Sequence, residues 1–195
     1  MADALERRPA LPQGLPARHG AETGAPGLVL REAPPVTVLR VQTCNTEEKP
    51  PGDKLGITLP VDPGASTLMD GVRAICLTSA DWLLIYPDED AQPVEALRAR
   101  IGDDGAVTDE TGAALALVVE GARAESVLQK GIAVDLSPTA FPVDRALQAG
   151  LAEVHVLLLR EAETRFRLHA PRSLAASLLH WLLETGAPFG VEVVG

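Results

Sequence analysis

Apolar and polar residues alternate along this chain in two rhythms, and most of the chain can be placed on one or the other. Residues 35–43 are β-branched and read as a strand. Residues 54–59 alternate as Lys-Leu-Gly-Ile-Thr-Leu and suggest a second strand, closed by Pro60, between loops at 45–53 and 61–71. The apolar runs 72–77 and 82–86 flank a short polar link, which predicts a β-hairpin. Residues 113–119 read as a buried strand, 132–136 as extended, and 154–159 and 164–169 as strands, the last with clear alternation. The helical rhythm appears three times. Val94, Leu97 and Ile101 share one face after the acidic run 88–90 and Pro93, and Gly102 ends the segment. Ala124, Val127 and Leu128 form the inner stripe of a helix over 121–130, stopped by Gly131. Leu174, Leu178, Trp181 and Leu182 repeat through 173–185, ahead of Gly186.

Strands mixed with few helices place the chain in the α+β class. The pattern divides it into a first α+β lobe at 35–102 and a second at 103–195, each of mixed or antiparallel strands with packed helices. Residues 1–34 form a Pro- and Ala-rich arm, in which Pro9, Pro12, Pro16 and Pro26 disfavour helix. Leu11, Leu15, Leu28 and Leu30 are spaced through this arm. A solvated linker has little use for leucines, so the arm is either disordered or laid extended on another surface that buries them, and on the second reading these four are the candidate partner interface.

Composition narrows the function by exclusion. The chain has 195 residues, 46% of them hydrophobic, which is ample for a core. Aromatics are only 3%, so there are few platforms for stacking rings. A net charge of −10 argues against nucleic acid and against an anionic membrane surface. Of 17 basic residues, 14 are Arg, whose planar fork suits interface carboxylates. Cys44 and Cys76 both lie in apolar runs and read as buried free thiols. The N-terminal stretch has no continuous apolar signal core, and no run reaches the roughly 20 apolar residues of a membrane span. The expected location is cytoplasmic.

No motif in the chain points to a chemistry of its own. His19, His155, His169 and His180 are not spaced as ligand or catalytic pairs, and no CxxC, HxH or HExxH occurs. Neither phosphate-binding glycine loop is present, nor a serine elbow. The acidic groups at 88–90 and 103–104 read as solvated loop or helix-end residues, and Trp82 and Trp181 as core anchors. The expectation is a chain with no catalytic, cofactor-binding or metal-binding residue of its own.

Three segments do carry a resemblance: residues 121–131, GARAESVLQKG; residues 135–143, DLSPTAFPV; and residues 172–182, RSLAASLLHWL. Their order and separation resemble the gamma subunits of heterotetrameric sarcosine oxidases, and Asp81-Trp82-Leu-Leu84 fits the first lobe of that family. The chain departs from related sequences in reading Lys130-Gly131-Ile132 where Lys-Gly-Cys is frequent, and Ser137-Pro138 where His precedes Pro. The resemblance implies a fold like the folate-binding aminomethyltransferases, without a cofactor in this chain. It implies alpha, beta and delta partner subunits, with alpha the main contact, and FAD, FMN, NAD, tetrahydrofolate and zinc carried by those partners. The implied complex oxidatively demethylates sarcosine to glycine, makes peroxide and passes the one-carbon unit to tetrahydrofolate. A free-standing folate-binding or aminomethyltransferase-like protein is the alternative reading, and an unrelated scaffold or chaperone a third.

Overall fold

The computed structural model describes residues 11, 17–21, 24–34, 36–44, 50–87 and 94–194. Two sheets dominate. The smaller has five strands in the order β4 (Ser66–Met69), β5 (Val72–Thr78), β6 (Asp81–Pro87), β3 (Val36–Thr43) and β7 (Gly105–Asp109), all antiparallel. The larger has seven in the order β1 (Arg18–His19), β12 (Val191–Val194), β2 (Leu28–Glu32), β8 (Ala114–Glu120), β11 (Arg165–Pro171), β10 (Val154–Ala162) and β9 (Ala146–Leu151). Its β12–β2 pair is parallel and the other pairs are antiparallel. The helices are α1 (Gly52–Leu55), α2 (Val94–Ile101), α3 (Ala124–Leu128) and α4 (Ala175–Gly186).

The continuous apolar runs follow from burial of both sheet faces, because successive side chains of a strand point to opposite sides. On β6, Trp82, Leu84 and Tyr86 join one core with Leu55 of α1 and Leu97 and Ile101 of α2, while Leu83 and Ile85 point the other way. On β10, Val154, Val156 and Leu158 meet α3 and α4, while Leu157 and Leu159 point away from them. Leu83, Ile85, Leu157 and Leu159 share one cluster with Val38 and Ile75, so the two sheets are packed face to face. The layers therefore run helices, sheet, sheet, helices.

The α+β class stands, and several local expectations are corrected. The arm does not end at residue 34 as a separate piece: β2 lies inside the seven-stranded sheet, between β12 and β8. Leu28 and Leu30 are fully buried in the core under α3 and α4, so they are not a partner interface. Leu11 packs partly against the same core, and its N–H donates to Glu32 Oε2 at 3.2 Å. Leu15 lies outside the described residues. The 102/103 lobe boundary also moves, since β7 pairs with β3 and completes the first sheet. Both errors have one cause. Strand partners far apart in sequence, such as β2 with β12, leave no local signal.

Residues 54–59 form no strand. A single turn, α1, ends at Gly56 in the left-handed region (φ 72), and Leu55 and Leu59 reach the same core from the turn and the stretch after it. The expected loop at 61–71 instead contains β4, closed by Asp70 (φ 50) and Gly71 (φ 79), an Asp-Gly hairpin turn. Residues 132–136, expected to be extended, form no strand and bend at Ala133 and Val134. The helix expected over 121–130 covers only Ala124–Leu128. Gly131 is needed for space: a Cβ there would lie 2.6 Å from the Trp181 ring and 2.7 Å from Leu151. Leu178 and Leu182 are buried on α4 as expected, whereas Leu174 is exposed on a preceding 3-10 turn.

The two-residue turn between β9 and β10 places Ala152 at φ 54, where glycine is the favoured residue. Ala152→Gly is therefore expected to raise stability by about 0.5–1 kcal/mol. Urea unfolding would report it as a higher midpoint at unchanged slope; a lower midpoint would refute it.

Candidate functional site

The chain's most developed polar constellation is built on Arg160, near the end of β10. Val154, Val156 and Leu158 point into the core beneath α3 and α4, and strand parity sends residue 160 the same way. Its side chain is 1% exposed. Nη1 donates to the carbonyls of Leu136 (2.8 Å) and Phe141 (2.9 Å). Nη2 donates to Glu125 Oε2 on α3 (2.8 Å) and to the Glu163 carbonyl in the β10–β11 turn (2.7 Å). The guanidinium also lies 4.9 Å from the centre of the Phe166 ring. One planar fork thus ties three segments together.

The segment it holds is the 135–143 motif. Gln129 organises the approach to it: Nε2 donates to the carbonyls of Ile132 (3.2 Å) and Val134 (2.7 Å), and Oε1 accepts the Leu136 N–H (2.8 Å). The side chain thereby supplies hydrogen-bond partners that a sheet ladder would supply, and the 132–136 segment bends around it at Ala133 and Val134 outside any sheet. Asp135 Oδ1 accepts the Ser137 N–H at 2.8 Å, the Ser137 carbonyl accepts the Phe141 N–H, and Phe141 is buried. This constellation fixes shape. The Arg160 guanidinium is spent on three carbonyls and the Glu125 carboxylate.

A second polar cluster braces the five-stranded sheet. Arg40 on β3 donates from Nε to Asp81 Oδ1 (2.9 Å) and from Nη2 to Asp81 Oδ2 (2.5 Å), and reaches Glu110 Oε1 at 3.5 Å. The hydrogen bonds to Asp81 hold the Arg40 guanidinium even more firmly protonated than usual, against the opposing effect of burial. Trp82, next in the chain, donates Nε1–H to the Pro60 carbonyl at 2.8 Å and is a core anchor.

The remaining candidates are dispersed. His19 lies 3.5 Å from Glu184 Oε1, and His155 and His180 are exposed. His169 is buried between Leu157 of β10 and Ala116 of β8, and its Nε2 has no hydrogen-bond partner among the described residues. Burial is the main reason its pKa falls to about 4. Cys76 is buried and free, with desolvation pushing its thiol pKa up; Cys44 is also free but exposed, which corrects the expectation that both are buried. Asp104 pairs with Lys54, and residues 88–90 lie outside the described residues. Trp181 is half-buried against Gly131. Among the described residues no group of three or more His, Cys, Asp or Glu is placed to hold a metal ion, and no helix is long and apolar enough to cross a membrane.

Residues 52–188 match the model of the sarcosine oxidase, gamma subunit family. The chain is 29% identical over 187 residues to the sarcosine oxidase subunit gamma of an Arthrobacter species, covering 92% of each. It is 31% identical over 144 residues to that of Corynebacterium sp. (strain P-1), covering 73% of this chain and 70% of the relative. Among solved structures, a chain of the heterotetrameric sarcosine oxidase from Corynebacterium sp. U-96, in complex with pyrrole 2-carboxylate, superposes with a TM-score of 0.77 at 28% identity, over 88% of each chain. The glycine cleavage system aminomethyltransferase T of Bartonella henselae shares the fold, with a TM-score of 0.64 at 18% identity, over 87% of this chain and 48% of that one. The chain belongs to the sarcosine oxidase gamma subunit family.

Proposed function

We propose that this chain is the structural gamma subunit of a cytoplasmic heterotetrameric sarcosine oxidase and carries no catalytic residue. Its likeness over 88% of its length to a chain of a solved heterotetramer is the observation that carries this reading. Alpha, beta and delta subunits are its partners, with alpha the main contact. FAD, FMN, NAD, tetrahydrofolate and zinc reside on them, and there sarcosine is demethylated to glycine, with peroxide formed and the one-carbon unit passed to tetrahydrofolate. This chain contributes a shaped surface. Its largest polar cluster, on Arg160, supports that role because it is spent on holding the 135–143 segment in place.

Co-expression with the partner subunits tests the proposal. The expected product is a yellow, flavin-containing complex that retains this chain and oxidises sarcosine, while the purified chain alone is colourless and inactive. Sarcosine-dependent peroxide from the chain alone would overturn it, as would a colourless monomer that binds tetrahydrofolate and joins no partner.

A further inference from the structure

Among the described residues the sheets end in four edge strands, and three of them are blunted. Strand β1 is only two residues long. On β4 the Ser66 N–H donates to the Asp144 carbonyl at 3.0 Å, and Ala65 bridges to Arg145. On β7 the Val107 carbonyl accepts Arg98 Nε at 2.9 Å. Short edges and charged cover of this kind are how proteins keep foreign strands from pairing.

Strand β9 is different. Its sequence, Ala146-Leu-Gln-Ala-Gly-Leu151, holds neither charge nor proline. It pairs with β10 through a two-residue turn in which Leu151 faces Val154. Such a turn makes Leu151 and Val154 a hydrogen-bonded pair, so Ala149 and Leu147 also bond inward to β10. The backbone N–H and C=O groups of Gln148 and Gly150 then point away from the sheet. Ala146 obeys the same parity: its N–H reaches outward to the Gly64 carbonyl at 2.7 Å. No partner for the backbone groups of Gln148 or Gly150 occurs among the described residues, and both residues are exposed. Leu147 and Ala149 are only partly buried, at the rim of the core beneath α3 and α4.

We infer that β9 is the edge to which a neighbouring subunit adds an extended strand. This rests on the chain's being a subunit of a larger oxidase. The occupant would pair its main chain with Gln148 and Gly150. One face of it would be apolar, to continue the rim at Leu147 and Ala149; the other would be polar, beside Gln148 and exposed His155. A second copy of this chain is the poorer occupant, because each copy carries a net charge of −10.

Two variants test the edge in the co-expressed complex. Gln148→Pro removes an outward N–H while leaving the β9–β10 ladder intact. Gln148→Lys with Gly150→Lys charges the edge; a Cβ at Gly150 meets nothing nearer than the Ala152 carbonyl at 3.9 Å, so the site has room. Circular dichroism and urea midpoints of the isolated variants identify those that fold. The parent chain should join the complex, each folded variant should bind it about tenfold more weakly or worse, and the Gln148 and Gly150 amides should exchange fast alone and slowly in the complex. Unchanged assembly of the folded variants, or unchanged amide exchange, would overturn the edge proposal. So would a parent homodimer that the lysine variant dissociates. A parent chain that joins no complex would instead overturn the proposed function.

Discussion

Replacing Arg160 with methionine should cost the chain about 3–5 kcal/mol of stability, at about 1–3 kcal/mol for each buried acceptor left without its donor. Methionine fills much of the same volume, so the loss would not come mainly from a cavity. It would come from the carbonyls of Leu136, Phe141 and Glu163, which would lose their donors in and around the core. Glu125 should contribute less, because its side chain is 39% exposed and can rehydrate. Arg160→Lys should also fail to restore the parent, since one ammonium cannot reproduce a fork reaching four acceptors. Glu125→Gln should cost no more than about 1–2 kcal/mol, because it keeps an acceptor and three of the four bonds. Urea unfolding of the isolated chain measures all three. The order Met worst, Lys intermediate and Gln mildest is expected; an Arg160→Met variant within about 1 kcal/mol of the parent would mean that the 135–143 segment is held by its own turns and Gln129 alone.

The segment Arg160 holds was conspicuous in the sequence, and the arginine was not. Residues 135–143 stand out because two prolines and a phenylalanine break the apolar rhythm, whereas Arg160 sits at the end of a strand and resembles a solvated terminus. The usable signal was parity: Val154, Val156, Leu158 and Arg160 share a face. The hairpin at β5–β6, helix α2 and the buried face of α4 were legible because each is bounded locally by turn residues and a single period. Strands β2, β9 and β12 were not. The Leu28–Glu32 run follows a proline-rich stretch, β9 is a weak alternation of Ala, Gly and Gln, and β12 is only four residues long. Each becomes a strand through distant partners, so tertiary pairing overrides what the local sequence suggests. The same limit misassigned Leu28 and Leu30. Their burial demands a surface, but sequence alone does not say whose.

A packed second sheet also decides the fate of His169. On β11, Phe166, Leu168 and Ala170 face the helices, and Arg165, Arg167 and His169 alternate with them, a pattern that reads as a solvated face. Yet His169 is 7% exposed and has no partner at Nε2 among the described residues. Burial, reinforced by the positive charge of Arg167 and only partly offset by Glu161, lowers its pKa from 6.5 to about 4. The consequence is a defined pH window. Above pH 6.5 the imidazole is neutral in both folded and unfolded chains and gives no pH dependence. As pH falls below 6.5 the unfolded chain takes up the proton first, so stability declines until the folded chain also protonates near pH 4. The full loss attributable to this residue is about 3 kcal/mol. His169→Leu keeps an apolar side chain of similar bulk and removes the titration. Parent and variant should therefore differ far more in their loss of stability between pH 7 and 4.5 than in their stability at pH 7, because the carboxylates common to both cancel in the comparison. Parallel pH profiles for the two proteins, or an NMR titration of His169 with a midpoint near its ordinary value, would show that its ring is hydrated in the folded chain.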